Sequence, residues 1–361
     1  MQVRRPFLSR ANTRRSVLKA AGAALLLSAC GRRDAGAAAA PAGVALKEVA
    51  PFPVGACVMT SKLRDPAYAD LLLRQFSQVT PEWEMKMERI LADDGSFRFD
   101  AADAIAAFAK AHGLRLHGTT LAWHAQKPAA FERIAGDPKG FAAAYRNYIT
   151  TVAGRYRGVA VGWDVVNEPI AEDGSYRDCL WSRALGMDYA ALAFRHAREA
   201  DPDAVLFLND YNLESNPAKL AGFQRLAESL LKQGVPLTGL GTQTHLGADT
   251  AKGTAGRAIK SLASFGLPIH VSELDVTTHA AAWRPGADVM DRQARVVGEV
   301  AEAFMGLPKS QRYAITIWGV RDSDSWLRHS PYGGADDAPV LFDDAGGAKP
   351  AFDAFVSAAR G

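Results

Sequence analysis

Eight short apolar runs alternate with longer amphipathic segments, and this alternation restricts the possible fold more than any other feature of the sequence. Segments between the runs, such as residues 101–113, carry apolar residues at helical spacing. Strict alternation of strand and helix implies parallel pairing, and eight such units close a (β/α)8 barrel. We therefore predict an α/β fold, a single-domain TIM barrel. The predicted strands are residues 52–58, 76–81, 114–123, 159–168, 204–211, 237–245, 268–276 and 313–320.

An open, doubly wound sheet is the competing fold, but no glycine-rich turn follows the first predicted strand to hold a dinucleotide. The chain has 361 residues, of which 48% are hydrophobic and 22% charged, with a formal net charge of +3. This composition is typical of a protein with a large core, and it lacks the basic excess of a nucleic-acid binder. We expect no nucleic-acid partner.

The N-terminal segment predicts export. Two arginines at positions 14 and 15 precede an apolar stretch that ends near Cys30. The arginines resemble a twin-arginine signal, and the residues before Cys30 resemble a lipobox, whose cysteine becomes lipidated; ordinary signal cleavage is the alternative. A periplasmic or outer-membrane-anchored lipoprotein follows, or alternatively a secreted protein, with the lipid anchor as the expected link to a membrane. The predicted regions are a signal at residues 1–30, a flexible linker at 31–46 and a catalytic barrel at 47–361.

Two cysteines, Cys57 and Cys179, remain beyond the predicted signal. They are far apart in the chain, and there is neither an HExxH motif nor a cluster of cysteine and histidine. We expect no metal ion and no cofactor. Both cysteines are interpreted as free thiols, and a disulfide between them is the alternative.

Polar or aromatic side chains occupy the last positions of most predicted strands. In a barrel those ends meet at the face that carries the active site. Loop capping explains one or two such residues, but not the same pattern on so many strands. The residues are Glu82, Trp123, His124, Asn167, Glu168, Asn209, Asp210, Gln243, His245, Glu273, Asp275 and Trp318.

Two glutamates stand out among them. Glu168 and Glu273 end the fourth and seventh predicted strands, which lie on opposed sides of an eight-stranded ring. Facing carboxylates, with Trp123, Trp318 and Trp326 as flat surfaces for sugar rings, are the parts that a glycosidase needs. One carboxyl protonates the leaving oxygen, and the other, ionised, attacks or activates water. A serine nucleophile elbow is missing from the sequence.

Several motifs resemble those of glycoside hydrolase family 10, the retaining β-1,4-xylanases. They are WDVVNEPI, LNDYN, GLGTQTHL, HVSELDV, TIWGVRDSDSWL and VLFDDAGGAKPAF, and the resemblance runs from about Pro53 to Phe355. It implies that Glu168 is the general acid/base and Glu273 the nucleophile of a double displacement that retains the anomeric configuration. It also implies that Asn167 holds the 2-hydroxyl of the substrate.

The resemblance implies further roles around this pair. His245, linked to Asp275, would orient the nucleophile and keep it ionised. Gln243 and Trp318 would line the subsite of the reacting sugar. The leaving-group side would be formed by Tyr211 and Asn212. The remaining predicted substrate-binding and supporting residues are Glu82, Lys86, Trp123, Gln126 and Trp326.

Three positions depart from the family pattern. Trp83 stands where the family usually has Asn, Met87 where its motif ends in Trp, and Thr119 where it has His. We expect all three on the side that grips the non-leaving sugars, where hydrogen bonds to hydroxyls would be lost. Either the preferred glycone differs from a plain xylose chain, or Trp83 closes that side and shortens the substrate.

Three functions therefore stay open, each with a polysaccharide or oligosaccharide as partner. The first is a retaining endo-β-1,4-xylanase. The second is a retaining β-glycosidase of the same family that acts on a glucoside or a short decorated oligosaccharide. The third is a non-catalytic sugar-binding barrel, which is disfavoured because both glutamates and the His245–Asp275 pair are present.

Overall fold

The structure, a computed structural model, describes residues 43–279 and 288–361. The predicted export signal with Cys30, and residues 31–42 of the predicted linker, lie outside the described residues. Within the part of the chain that is described, no helix has the length and apolar character needed to span a membrane.

Nine strands, all paired in parallel, make up the sheet of the described residues, and eight of them form a closed barrel. Neighbours in sequence are neighbours in the ring, and pairing of β6 with β8 completes it, so the predicted (β/α)8 fold is confirmed. The strands are β1 (Val54–Val58), β2 (Gln78–Pro81), β3 (Arg115–Trp123), β4 (Ala160–Asn167), β5 (Val205–Asp210), β6 (Gly239–Thr242), β7 (His245–Gly247), β8 (Ile269–Thr277) and β9 (Arg312–Ile317).

Helices follow most strands and cover the outside of the ring. Three long ones begin where the side chain of Asp65, Asp137 or Asn216 accepts a first-turn backbone N–H and a proline follows, so cap and proline fix the start together. The helices are α1 (Leu46–Val49), α2 (Pro66–Gln75), α3 (Met87–Ile90), α4 (Asp100–Ala111), α5 (Ala129–Glu132), α6 (Pro138–Arg155), α7 (Leu180–Leu185), α8 (Tyr189–Ala200), α9 (Pro217–Lys232), α10 (Thr254–Ala263), α11 (Val289–Met305) and α12 (Pro350–Arg360).

The predicted sixth strand, residues 237–245, is interrupted in the structure. Thr244 adopts a left-handed backbone with φ of 62°, which few non-glycine residues do, and β6 therefore stops at Thr242. The chain then pairs again as β7, where His245 lies in register with Asp275 of β8. The bend thus places His245 beside Asp275, as the family resemblance implied.

The folded part begins before the predicted linker ends. Ala45 and Leu46 are buried, and the backbone N–H of Leu46 donates to Gln75 Oε1 at 3.0 Å. These contacts attach the first described residues to α2.

Both cysteines are buried and free, which confirms their interpretation as thiols. Cys57 lies in β1, with Sγ 3.9 Å from Glu82 Oε2. Burial raises the pKa of the Cys57 thiol well above its usual value, and the charge of Glu82 raises it further. The thiol is therefore a packing group and not a nucleophile.

Polar side chains fill part of the barrel interior, a feature that the sequence patterns had not predicted. His117 Nδ1 lies 3.0 Å from the Tyr313 hydroxyl oxygen, and its Nε2 lies 3.1 Å from Asp164 Oδ1. His270 Nε2 lies 2.8 Å from Thr316 Oγ1, and burial holds the pKa of His270 well below its usual value. The hydrogen bonds of His117 and His270 connect β3 and β8 to β9, and His117 Nε2 lies close to Asp164 of β4.

Candidate active site

The C-terminal ends of the strands surround a cleft of about 800 Å³. Every predicted catalytic or substrate-binding residue except Gln126 lines it, together with two of the departures from the family pattern, Trp83 and Thr119. The predicted residues that the structure brings together are Glu82, Lys86, Trp123, Asn167, Glu168, Tyr211, Asn212, Gln243, His245, Glu273, Asp275, Trp318 and Trp326.

Two predicted residues are placed elsewhere. Met87, the first residue of α3, was expected on the side of the non-leaving sugars; its side chain is buried in the hydrophobic core and does not line the cleft. Gln126 is also buried, and its Oε1 accepts the backbone N–H of Glu88 at 2.9 Å. Gln126 therefore supports the start of α3 and does not line the cleft.

Glu168 stands at a sharp change of backbone direction. β4 ends at Asn167, and Glu168 follows in the left-handed region with φ of 57°, a conformation that costs a non-glycine residue on the order of 1 to 3 kcal/mol. Its N–H still donates to Asn209 O at 2.8 Å. The turn directs the carboxyl into the cleft, where His124 Nδ1 lies 3.5 Å from Oε2.

A chain of three amides joins the two glutamates. Gln243 Nε2 donates to Glu168 Oε1 at 3.0 Å and lies 3.3 Å from Asn167 Oδ1. Asn209 Nδ2 donates to the same Asn167 oxygen at 2.9 Å and reaches Glu273 Oε1 at 3.4 Å. The two carboxyls are thus held relative to each other by neutral hydrogen-bonding groups that carry no charge into the site.

The position of Asn209 depends on a glycine in the next strand. A Cβ at Gly241 would stand 2.3 Å from Asn209 Oδ1, so only glycine leaves room for this amide. Ser272 Oγ donates to the same oxygen at 2.9 Å. Asn209 stands at the end of a predicted strand, but the motifs alone gave it no role.

Glu273 is supported by a charged partner. His245 Nε2 lies 3.5 Å from Glu273 Oε2, while its Nδ1 lies 2.9 Å from Asp275 Oδ1. Trp326 Nε1 donates to the other oxygen of Asp275 at 2.9 Å. Burial lowers the pKa of His245, but the two carboxylates outweigh it and raise that pKa to about 10. Burial raises the pKa of Glu273, and the charged His245 opposes this.

Stability above neutral pH should report on His245. Because its folded pKa of about 10 exceeds the unfolded value of 6.5, the stabilisation is complete below pH 6.5 and is lost as pH rises through 10. Across that window this group should remove about 1.4 kcal/mol of unfolding free energy per pH unit. In urea titrations between pH 7 and 10, the free energy of unfolding should decline less steeply with pH for His245→Asn than for the parent or for His112→Asn, an exposed control. The same dependence on pH in all three proteins would disprove the charged pair.

Aromatic rings enclose a lysine on one side of the cleft. Lys86 Nζ lies 4.4 Å from the ring centroid of Trp83, 4.7 Å from that of Trp123 and 6.0 Å from that of Trp318. Burial raises the pKa of the neighbouring Glu82 to about 7, although Lys86 opposes the shift. Trp83 itself remains 39% exposed, so one part of its surface is free to meet a ligand.

The opposite side is built around a buried lysine that sequence analysis missed. Lys219 Nζ lies 2.8 Å from Glu172 Oε1, 3.1 Å from Asp210 Oδ1 and 3.1 Å from the Tyr211 ring centroid. Burial raises the pKa of Glu172, but hydrogen bonds from Lys219 and Tyr211 outweigh it and lower that pKa to about 2. Burial raises the pKa of Asp210 to about 7 against the charge of Lys219.

The signal for Lys219 was present in the sequence. It falls on the apolar stripe of α9, three and four residues before Gly222 and Phe223, which are both buried. A lysine on such a stripe is fully buried only when it has a partner.

Comparison with known proteins identifies the family. Residues 45–358 match the model of glycosyl hydrolase family 10. The chain belongs to glycosyl hydrolase family 10. Endo-1,4-beta-xylanase 2 from Claviceps purpurea, a relative, is 37% identical over 297 residues, which cover 82% of this chain and 83% of that protein. Endo-1,4-beta-xylanase A from Thermoanaerobacterium saccharolyticum is 34% identical over 322 residues, 86% of this chain, but the chain spans only 27% of that longer protein.

A solved structure supports the same assignment. Xylanase XynB from Paenibacillus barcinonensis superposes with a TM-score of 0.80 at 33% identity, over 86% of this chain and 98% of the other. Membership of family 10 confirms the resemblance first recognised in the motifs, and the superposition confirms the barrel.

Proposed function

We propose that this protein is a retaining endo-β-1,4-xylanase, with Glu168 as general acid/base and Glu273 as nucleophile. The observation that carries the proposal is a pair of buried carboxylates in one cleft whose surroundings differ. Glu273 lies beside His245, whose pKa is raised to about 10. Glu168 contacts the neutral amide of Gln243 and His124, whose pKa is lowered by burial. Such contrasting environments separate a proton donor from a nucleophile.

The proposed reaction is a double displacement. Glu168 protonates the glycosidic oxygen while the carboxylate of Glu273 attacks the anomeric carbon and forms a glycosyl ester. Glu168, now ionised, takes a proton from water as that water attacks the ester from the face that the leaving group vacated. Two inversions retain the configuration. The amide chain through Asn167 and Asn209 keeps the two carboxyls in place for both steps.

Xylan as the substrate is supported by family membership and by the names of the relatives, which are endo-1,4-beta-xylanases. Trp318, the ring of Trp123 and the exposed part of Trp83 offer flat surfaces to sugar rings. A hydrolysis screen over xylan, β-glucan, aryl xylobioside and aryl cellobioside tests the proposal, with the anomer of the first product followed by NMR. Xylan hydrolysis giving the β-anomer is expected. A kcat/KM that is higher on aryl cellobioside than on aryl xylobioside would point to a different glycone.

One observation favours a different preference for the non-leaving sugars, the glycone. The Trp83 ring packs against Lys86, and Thr119 lines the cleft where the family pattern has a histidine, so polar contacts to hydroxyls are replaced by an apolar surface. A short or decorated glycone is the second candidate on this ground. Weak binding of unmodified xylose units is the expected consequence.

Restoring the family residues should reverse that effect. The double variant Trp83→Asn with Thr119→His should raise kcat/KM on xylotriose roughly 10-fold, because each new hydrogen bond contributes about 1 kcal/mol. Tyr176→Asn, which removes an exposed aromatic ring outside the cleft lining, is the control and should leave the kinetics unchanged. If the double variant is no better than the parent on xylotriose, these substitutions do not set the specificity.

Export and anchorage extend the proposal to the N-terminal residues. The paired arginines, the apolar stretch and Cys30 support a twin-arginine lipoprotein signal. Labelled fatty acid fed to expressing bacteria should enter the parent protein. The Cys30→Ala variant should remain unlabelled. Labelling of both would assign the lipid to another site.

A further inference from the structure

Arg177 folds back on the segment that begins with Glu168. Its Nε donates to Glu168 O at 2.9 Å, and its Nη2 donates to Ile170 O at 2.8 Å. Its backbone N–H donates to Pro169 O, also at 2.8 Å. Three consecutive carbonyls, starting at the residue with left-handed backbone, therefore accept hydrogen bonds from one arginine. Two of these bonds come from the guanidinium, and charged donors form the stronger hydrogen bonds.

The same segment is held on its other edge. The N–H of Ile170 donates to Asp210 Oδ2 at 3.1 Å, and Asp210 Oδ1 pairs with the buried Lys219 at 3.1 Å. Pro169 has no N–H to contribute. The backbone after Glu168 thus depends on two charged side chains, Arg177 for its carbonyls and Asp210 for its amide.

The guanidinium also reaches the leaving-group side of the cleft. Arg177 Nη2 donates to the Tyr211 hydroxyl oxygen at 3.3 Å, from the same nitrogen that binds Ile170 O. Tyr211 lines the cleft, and its own N–H donates to Asp210 Oδ1 at 2.9 Å. One side chain therefore connects the backbone of Glu168 to an aromatic ring that faces the departing sugar.

We propose that Arg177 is a positioning residue for the proton transfer: it fixes the left-handed backbone of Glu168 and sets the distance between that carboxyl and the leaving group held against Tyr211. The inference rests on the proposed role of Glu168 as general acid/base. It assigns no contact between Arg177 and the reacting atoms, since the arginine acts through backbone carbonyls and the tyrosine hydroxyl.

The physical reason lies in the step that needs the acid. A proton donor displaced by about 1 Å loses up to roughly 100-fold in rate when protonation of the leaving group is required. An activated aryl leaving group departs without protonation and is insensitive to that displacement. A misplaced acid therefore differs from a generally damaged site by its dependence on the leaving group.

The test compares Arg177→Gln with a matched control, an arginine of α9 that binds the same loop. Arg225 Nη2 donates to Gly174 O at 3.0 Å, so Arg225→Gln also removes an arginine bond to a carbonyl of the loop but leaves the Glu168 backbone untouched. The readout is kcat/KM on dinitrophenyl xylobioside and on phenyl xylobioside. Arg177→Gln should lose about 10- to 100-fold on the phenyl glycoside and less than about 3-fold on the dinitrophenyl glycoside. Arg225→Gln should lose little on either.

Arg177→Lys provides an independent measurement, because an ammonium keeps one charged donor and should restore part of the loss on the phenyl glycoside. If Arg177→Gln does not fold, the parent is compared with Arg177→Lys instead. The quantity compared is then the ratio of kcat/KM on the dinitrophenyl glycoside to kcat/KM on the phenyl glycoside. Equal losses on both glycosides, or the same ratio in Arg225→Gln, would overturn the inference. Glu168→Ala separates the two hypotheses: no leaving-group dependence there rejects the acid/base role itself. Dependence there but not at Arg177 rejects only the positioning role.

Discussion

Glu273→Ala should lower kcat on xylan and on aryl xylobiosides alike by on the order of 10⁴-fold or more, because formation of the glycosyl ester requires this carboxylate. His245 and Asn209 would then surround an empty space where the carboxylate stood. Azide is a small anion that can occupy it and attack the anomeric carbon once. We therefore expect azide to restore cleavage of an activated aryl xylobioside and to give a glycosyl azide of inverted configuration.

A buried carboxylate outside the cleft lining provides the control. Glu214 Oε1 accepts a hydrogen bond from Thr244 Oγ1 at 2.9 Å, and Glu214→Gln keeps an acceptor there, so its activity should stay close to that of the parent. Near-normal hydrolysis by Glu273→Ala without azide, or an azide product of retained configuration, would remove Glu273 from the nucleophile role.

Glu168→Ala should have the second largest effect, and the size of the effect should depend on the substrate. Loss of a general acid lowers the rate by about 10²- to 10⁴-fold when the leaving group needs a proton, as a sugar or phenol does. Dinitrophenyl xylobioside should form the glycosyl enzyme at close to the parent rate and then accumulate it, because water now lacks its base. A burst of dinitrophenol followed by slow turnover is the expected time course.

Azide should act differently on this variant. It needs no general base, so it should accelerate breakdown of the accumulated glycosyl enzyme and give a product of retained configuration, opposite to that from Glu273→Ala. Equal losses on phenyl and dinitrophenyl substrates, without a burst, would contradict the acid/base assignment.

The two sides of the cleft differ in the side chains that line them. On the side of Lys86 and Trp83, an ammonium lies against aromatic rings. On the side of Tyr211, charged groups are buried behind the ring and hold it from below. We expect substitutions on the first side to change which glycone is preferred. Substitutions behind Tyr211 should change how well a poor leaving group is expelled.

The sequence alone was sufficient for the barrel and for most of the cleft lining. Apolar runs separated by amphipathic segments predict parallel strands and crossover helices. A strand that is buried on both faces is a continuous apolar run, and a helix that is buried on one face is amphipathic. The end of a strand is visible where such a run meets a polar pair, as at Asn167 and Glu168. In a barrel every such end lies on the same face, so residues far apart in the chain could be assigned to one site.

Only the tertiary structure decided which side chains touch. Met87 is packed in the hydrophobic core, and Gln126 binds the backbone of α3. Both positions follow from the packing of α3 and not from a motif. The bend at Thr244 that sets His245 beside Asp275, and the return of Arg177 to the carbonyls around Glu168, depend on the path of loops. Periodicity records which face of an element is buried, and that much is local. Contacts between loops depend on how separate elements approach each other in space, and no local pattern in the chain encodes that approach.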